Sequence, residues 1–248
     1  MPDWKTEPSF LEPLLGIVFD LDGTLIISHH DFLRMRREVV RLAERYGVTP
    51  GHLSVEEPIH RILEAAREEI RTSGAPDGLL FRFEAEFHKL IDGIEMEALP
   101  RTQARPGATE LLRGLTDRGF RLGILTRSSE LFCRQALART HLAPYFTNIR
   151  TRTMPGPTKP SPEALRLLLE EMGVPVDRAL YVGDHILDAE CATGASVRFY
   201  AVLPDPSDNL SMTADRMVAA GAKAVAKDLT ELGRQLAAAP SLAAGAPT

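Results

Sequence analysis

Two carboxylates two residues apart, Asp20 and Asp22, follow an apolar run near the start of the sequence, in the stretch VFDLDGTL. In an extended backbone, side chains two residues apart point to the same side, so both carboxylates would face one cleft. Gly23 permits a sharp turn with exposed backbone N–H groups, and Thr24 adds a hydroxyl. Carboxylates beside backbone donors suit a divalent cation that holds a phosphate. The alternative is a solvated turn, because aspartate and glycine are common turn residues.

Polar residues of other types occur at the ends of later elements. Thr126 ends the run RLGILT, Lys159 stands shortly before a predicted helix, and Asp184 and Asp188 follow the run ALYVG. Singly, each has a structural explanation, such as a solvated lysine or an aspartate in a turn. Together they match what phosphoryl transfer to a carboxylate requires: a nucleophile, an acid, a hydroxyl, a cation and metal-binding acids.

The elements that must position these residues alternate between strand and helix patterns. Continuous apolar runs are typical of strands that are covered on both faces of a sheet. The predicted strands are 14–19, 121–126, 179–183, 197–203 and 222–225, and the predicted helices among them are 108–118, 162–172 and 228–237. This alternation predicts an α/β fold with a Rossmann-like, doubly wound parallel sheet, whose ligands gather at the carboxyl ends of the strands.

The segment from His29 to Arg105 interrupts this alternation. Helical patterns cover roughly residues 31–46, 55–71 and 79–91, separated by connections that contain glycine, proline and serine, and no strand is predicted. The segment therefore predicts an α-helical domain inserted after the first strand. The predicted organisation is a core of residues 14–28 and 106–238, an insert of residues 29–105, and tails of residues 1–13 and 239–248.

Composition excludes several classes of protein. The chain has 44% hydrophobic and 25% charged residues and a net charge of −5, as an ordinary globular protein does. No apolar run approaches the ~20 residues of a spanning helix, and basic residues interleaved with acids form no nucleic-acid footprint, so neither a membrane nor nucleic acid is an expected partner. The acidic N-terminal stretch is unlike a secretory signal, which makes the cytoplasm the expected compartment. Cys133 and Cys191 are too far apart for a redox or zinc motif.

Five segments of the chain resemble a known family. The blocks FDLDGTL, ILTRSS, TKPSPEAL and VGDHILDAECATGA are similar, in order and separation, to the four signature motifs of the haloacid dehalogenase (HAD) superfamily, and RPGATELLRGL is a further familiar segment. The resemblance spans about residues 16–236. The helical insert resembles the C1 cap of that superfamily, and the whole arrangement is similar to its phosphoglycolate phosphatases.

This resemblance implies a role for each residue of the motifs. Asp20 would attack phosphorus and form an aspartyl phosphate, and Asp22 would protonate the leaving alcohol and then activate water. Thr126 and Lys159 would be catalytic and phosphate-binding. Further phosphate contacts would come from Gly23 and Arg127. The Mg2+ ligands would be Asp20, the backbone carbonyl of Asp22 and Asp184, with Asp188 acting from a second layer or through water.

The expected function is hydrolysis of a small organic phosphate monoester, phosphoglycolate-like or sugar-phosphate-like, by a Mg2+-dependent phosphatase that is a monomer or homodimer. Asp22 favours cleavage of a C–O–P linkage, since the dehalogenases of the superfamily keep no aspartate at this position. Sugar-phosphate mutases share this aspartate, so a phosphotransferase is a first alternative. A noncatalytic binding or regulatory protein with the same fold is a second, because a fold alone does not imply activity.

Two positions depart from the usual motifs. Arg127 follows Thr126 where relatives often have asparagine, so its side chain could add a phosphate or carboxylate contact. His185 stands where serine or threonine is common, and it is interpreted as a neutral loop substitution rather than a participant. In the insert, the arginines of the first helix alternate with glutamates at a spacing typical of an exposed, ion-paired helix face.

Overall fold

A computed structural model describes residues 14–74, 76, 78–204 and 213–237. The chain divides into two compact units, one formed by residues 1–28 and 102–248 and the other by His29–Arg101. The predicted tails, 1–13 and 239–248, lie outside the described residues. Within the described residues, no helix is both long enough and apolar enough to cross a membrane.

The first unit is built on a sheet of six parallel strands, which confirms the predicted α/β fold. In chain order the strands of the described residues are β1 (Gly16–Phe19), β2 (Ile26–Ile27), β3 (Gln103–Ala104), β4 (Arg121–Leu125), β5 (Asn148–Arg150), β6 (Ala179–Gly183), β7 (Arg198–Val202) and β8 (Ala224–Ala226). The strand order in the six-stranded sheet is β5-β4-β1-β6-β7-β8.

The central strand β1 lies where the strand order reverses. It pairs in parallel with β4 on one side and β6 on the other, with Phe19 opposite Ile124 and Val182. The chain first builds outward from β1 through β4 and β5 and then returns to β6 on the other side of β1, so the connections that leave β1 and β6 run in opposite directions. Such a reversal opens a crevice at the carboxyl ends of the strands, where ligands of doubly wound sheets bind.

Helices follow the strands of this unit and cover the sheet. An apolar cluster that includes Val18, Leu168, Tyr181 and Phe199 joins the sheet to three of these helices. In the first unit the described helices are α4 (Ala108–Asp117), α5 (Glu130–Arg139), α6 (Pro162–Met172), α7 (Ile186–Ala195), α8 (Ala214–Ala219) and α9 (Leu229–Ala237). Proline at the first position of α6 and Gly173 in the left-handed conformation at its end fix the bounds of that helix.

The prediction of no strand between residues 29 and 105 was wrong at one end of that segment. Gln103–Ala104 forms β3, which pairs antiparallel with Ile26–Ile27. A pair of two-residue strands is too short to show an alternating pattern in the sequence, and it is held here by the partner strand. The compact helical unit accordingly ends at Arg101.

In the described part of the second unit, three α-helices surround a core of their own, which includes Met35, Val39, Phe83 and Phe87. Its helices are α1 (Phe32–Arg45), α2 (Ile59–Thr72) and α3 (Leu79–Ala98). The first has nearly the predicted bounds, whereas the other two differ from the prediction for identifiable reasons.

The start of α2 and the end of α3 were mispredicted. Helix α2 begins only after Pro58, which is extended. Proline disfavours helical geometry at the residue before it, so the helix does not include the residues that precede Pro58. Helix α3 continues past Ile91 through Gly93, because Ile94 and Ala98 continue its buried face. Packing of this face offsets the cost of about 1 kcal/mol that a glycine brings to a helix interior.

Candidate active site

The predicted site residues lie at the carboxyl edge of the six-stranded sheet. Asp20 directly follows β1, Thr126 follows β4, and Asp184 follows β6. Lys159 lies in the connection that leads into α6, and Asp188 is in the first turn of α7. The structure thus gathers residues that are up to 168 positions apart in the sequence, because the three central strands end side by side.

Lys159 joins two of the acids. Its ammonium group donates a hydrogen bond to Asp188 Oδ1 at 2.6 Å and another to Asp20 Oδ1. Only 6% of Lys159 is exposed to solvent. Burial by itself would lower the pKa of Lys159, but the charges of Asp188 and Asp20 and their hydrogen bonds raise it above its ordinary value. Lys159 is therefore a permanent cation between two carboxylates.

The side chains of Asp20, Asp184 and Asp188 form a buried acidic cluster, with one carboxylate oxygen of each within 4.8 Å of the others. Burial raises the pKa of Asp20 to about 7, although the charge of Lys159 opposes this shift. Burial and the charges of Asp20 and Asp188 raise the pKa of Asp184 well above 3.8. Three buried acids exceed the single positive charge of Lys159, so the cluster fits a further cation.

The chemistry of these donors suits Mg2+, which prefers carboxylate and carbonyl oxygens and binds through few protein ligands. The acidic cluster contains the side chains of three of the four predicted metal residues. The fourth, Asp22, is half-buried, and its predicted contribution through the backbone carbonyl stays a prediction.

The loop after Asp20 packs against the acidic cluster. Thr24 donates a hydrogen bond from its hydroxyl to Asp184 Oδ1 at 2.7 Å. Gly23 has a φ of 84°, and a Cβ atom at this position would overlap the carboxylate of Asp184. Arg105, a buried residue of the first unit, donates a hydrogen bond to the carbonyl of Gly23 at 2.6 Å. Only glycine allows this close approach of the loop to Asp184, and Arg105 holds the loop through its hydrogen bond to the Gly23 carbonyl.

Asp188 accepts hydrogen bonds from three donors. Its Oδ1 accepts from Lys159 and, at 2.9 Å, from the hydroxyl of Tyr181, while its Oδ2 accepts from the backbone N–H of His185 at 3.0 Å. Burial and the charges of Asp188 and Asp20 raise the pKa of Tyr181, so its hydroxyl keeps its proton. Sequence reasoning missed Tyr181, because an aromatic residue inside an apolar strand is typical of a core position.

His185 has a structural role that the sequence did not indicate. It is the N-cap residue of α7, where its Nδ1 accepts a hydrogen bond from the backbone N–H of Leu187 at 3.2 Å. The Asp188 side chain accepts a hydrogen bond from the backbone N–H of His185, which completes a reciprocal capping arrangement. Burial lowers the pKa of His185, which favours the neutral imidazole that can accept this bond.

We expect His185→Ala to lower the free energy of unfolding by about 1 kcal/mol, the usual cost of losing a helix cap. His185→Asn should lose less, because the asparagine side chain supplies an acceptor at the same position. Urea denaturation of both variants beside the wild-type protein measures the difference. Equal stability of the alanine and asparagine variants would contradict a capping role for the imidazole.

Thr126 and the residues after it line the edge next to Asp20. The hydroxyl oxygen of Thr126 accepts a hydrogen bond from the backbone N–H of Ser128 at 3.1 Å. The hydroxyl proton of Thr126 is not used in this bond and can be donated to another acceptor. The carbonyl of the half-buried Arg127 accepts from Arg152 Nε at 3.0 Å. This loop is thus fixed by hydrogen bonds between its own residues and the segment that follows β5.

Several basic residues of the second unit form exposed ion pairs. Arg41 pairs with Glu38 at 2.7 Å, and Arg34 pairs with Glu97 of α3 at 2.5 Å. Exposed pairs of this kind contribute little to stability, because water and salt screen their attraction.

Comparison with known proteins identifies a protein family whose profile this chain matches. The profile of the haloacid dehalogenase-like hydrolases matches residues 14–195. A phosphoglycolate phosphatase of Rhodospirillum rubrum is 26% identical over 220 residues, which cover 88% of this chain and 89% of the relative. A phosphoglycolate phosphatase of Cereibacter sphaeroides is 32% identical over 193 residues, covering 74% and 83%. The crystal structure of a hydrolase from Pseudomonas syringae has the same fold, with a TM-score of 0.66 at 23% identity over 90% of this chain and 98% of its own.

Proposed function

Because the chain belongs to the haloacid dehalogenase-like hydrolases, we propose that it is a Mg2+-dependent phosphatase that hydrolyses a small organic phosphate monoester. The observation that carries this proposal is the position of Lys159, which donates hydrogen bonds to both Asp20 and Asp188 within a buried acidic cluster. A carboxylate nucleophile, a fixed cation and a place for a metal ion are the requirements of phosphoryl transfer to an aspartate. The phosphoglycolate phosphatases among its relatives favour phosphoglycolate, or an ester of similar size, as the substrate.

In the first step, Asp20 attacks phosphorus. An O–P bond forms between the Asp20 carboxylate and the phosphoryl group while the bond from phosphorus to the alcohol oxygen breaks. Asp22 donates a proton to that oxygen, so that a neutral alcohol leaves. Thr126 donates a hydrogen bond from its hydroxyl to a phosphoryl oxygen, and Lys159 neutralises negative charge on Asp20 and on the phosphoryl group.

In the second step, Asp22 accepts a proton from water as that water attacks the phosphorus of the aspartyl phosphate. The bond between phosphorus and Asp20 breaks, inorganic phosphate leaves and the carboxylate is restored. Asp20 and Lys159 are only 7% and 6% exposed, so bulk water has little access to the phosphorylated residue.

Mg2+ bound by Asp20, Asp184 and the carbonyl of Asp22 would supply the positive charge that lets an anionic nucleophile meet an anionic phosphate. Asp188 accepts a hydrogen bond from Lys159 and would support the metal site from a second layer or through water. Residues 29–105 are proposed as the cap of the enzyme, the part that selects the ester, because the catalytic groups of the core recognise only phosphate and metal. The expected location of this enzyme is the cytoplasm.

Phosphate release from a panel of monoesters, with phosphoglycolate and several sugar phosphates, tests the proposal. We expect release in the presence of Mg2+, a fall to background in excess EDTA, and recovery when Mg2+ is added back, since the acidic cluster cannot bind a phosphate without a cation. Release that continues unchanged in EDTA would contradict the metal requirement. A protein that binds Mg2+ but hydrolyses none of the esters would contradict the phosphatase proposal, and a mutase assay with a bisphosphate activator would follow.

A further inference from the structure

Tyr181 makes a contact with the site that the proposed mechanism does not use. It lies in the middle of β6, is fully buried, and donates a hydrogen bond from its hydroxyl to Asp188 Oδ1 at 2.9 Å. Its ring lies 5.7 Å from Lys159 Nζ. One buried tyrosine thus contacts both partners of the ion pair that supports Asp20.

We propose that Tyr181 is a positioning residue, whose hydroxyl fixes the carboxylate of Asp188 so that Lys159 is shared between Asp188 and Asp20. This inference deepens the proposed function and rests on it. Tyr181 does not touch the reacting atoms in this arrangement, and it acts through Asp188 and Lys159.

The hydrogen-bonding capacity of Asp188 explains how one hydroxyl can have this effect. A carboxylate oxygen accepts about two hydrogen bonds, and Oδ1 accepts from both Lys159 and Tyr181. The third donor, the backbone N–H of His185, fixes Oδ2. Because both oxygens of Asp188 accept hydrogen bonds, the plane of the carboxylate is fixed. Oδ1 interacts with Lys159 and Tyr181 at the same time, so it attracts Lys159 less strongly than it would if Lys159 were its only donor.

Removing the hydroxyl changes this balance. Oδ1 of Asp188 would lose its second donor and would attract Lys159 more strongly in the buried, low-dielectric environment. Lys159 would move toward Asp188 and away from Asp20, where the proposed mechanism needs its charge. The carbonyl of Leu125, 3.3 Å from the Tyr181 hydroxyl, is too weak and too distant an acceptor to compete with the carboxylate for the hydroxyl proton.

Tyr181→Phe tests the proposal, because it removes one oxygen and keeps the ring beside Lys159. Tyr200→Phe is the matched control. Tyr200 is also fully buried and lies on the adjacent strand β7, but it pairs with Val182, whereas Tyr181 pairs with Phe199, so the two tyrosines point to opposite faces of the sheet.

The assay measures hydrolysis of para-nitrophenyl phosphate with Mg2+. We expect Tyr181→Phe to lower kcat about tenfold, the effect of losing one hydrogen bond to a charged group, with KM within about twofold of wild type. KM should change little because Thr126 and the metal ion still bind the phosphate. Tyr200→Phe should leave both constants within about twofold. Thermal unfolding sets a temperature at which all three proteins are folded.

Binding of beryllofluoride, which adds to a carboxylate as a mimic of a phosphoryl group, gives a readout that does not depend on turnover. Fluorine NMR should show binding to Tyr181→Phe that is about tenfold weaker than to wild type and to Tyr200→Phe. Equal losses of kcat in the two variants, or wild-type kcat and beryllofluoride affinity in Tyr181→Phe, would overturn the positioning role. If the wild-type protein hydrolyses no ester, the proposed function fails, and beryllofluoride binding alone decides the role of Tyr181.

Discussion

Replacement of Asp20 by asparagine should lower phosphate release by about 10^4-fold or more, the scale expected when a covalent nucleophile is removed. An amide has nearly the shape of the carboxylate but lacks the electron density to attack phosphorus. The substituted side chain could still contact Lys159 through its carbonyl oxygen, so the loss would come from chemistry and not from collapse of the site. Steady-state hydrolysis of the best monoester of the panel measures the effect.

Two further observations make the Asp20→Asn experiment decisive. Asp117→Asn, at an exposed position of α4, is the matched control and should retain wild-type turnover. Acid quenching of the wild-type protein during turnover of a radiolabelled ester should trap a phosphorylated chain, which Asp20→Asn should not form. Turnover of Asp20→Asn within about tenfold of wild type would exclude attack by Asp20 and would point to direct attack by water.

The strands that build the site were predictable because each is buried on both faces. The bounds of β1, β4, β6 and β7 differ from the predicted runs by at most two residues at an end, since a buried parallel strand has a continuous apolar pattern that few other elements share. The strand β5 was not predicted. It has three partly buried residues, NIR, and its pairing with β4 defines it better than its own composition does.

The positions of the polar site residues were predictable for a related reason. Asp20, Thr126 and Asp184 each follow a strand that belongs to the centre of one sheet, so the topology brings them together. The contacts that fix them were not predictable. Tyr181 and Arg105 act through hydrogen bonds across the fold, to Asp188 and Gly23, and neither residue type at its position differs from an ordinary core tyrosine or a surface arginine.

Asp184→Asn should abolish metal-dependent activity and at the same time stabilise the metal-free protein. The pKa of Asp184 is raised well above 3.8 in the folded state by burial and by the charges of Asp20 and Asp188. A carboxylate whose folded pKa is raised lowers stability at a pH above its unfolded pKa, because folding then places a charge where it is disfavoured. Asparagine removes this charge and still offers an oxygen to the hydroxyl of Thr24.

Thermal unfolding with and without Mg2+ separates the two effects of Asp184→Asn. In EDTA, we expect an unfolding midpoint about 2–4 °C above that of wild type, the shift that 1 kcal/mol produces in a chain of this size. Mg2+ should raise the midpoint of wild type, because a ligand that binds only the folded state stabilises it, and should not raise that of Asp184→Asn. Hydrolysis should fall by about 10^3-fold, as when a group that stabilises charge in the transition state is lost.

The Asp117→Asn variant is again the control, and it should respond to Mg2+ as wild type does, because its exposed carboxylate is not in the acidic cluster. A midpoint of Asp184→Asn in EDTA well below that of wild type would mean that Asp184 contributes to stability without a metal, through its bond with Thr24. An undiminished Mg2+ response would exclude Asp184 as a metal ligand. The expected combination, a more stable and inactive protein, would show that the acidic cluster is retained for function at a cost in stability.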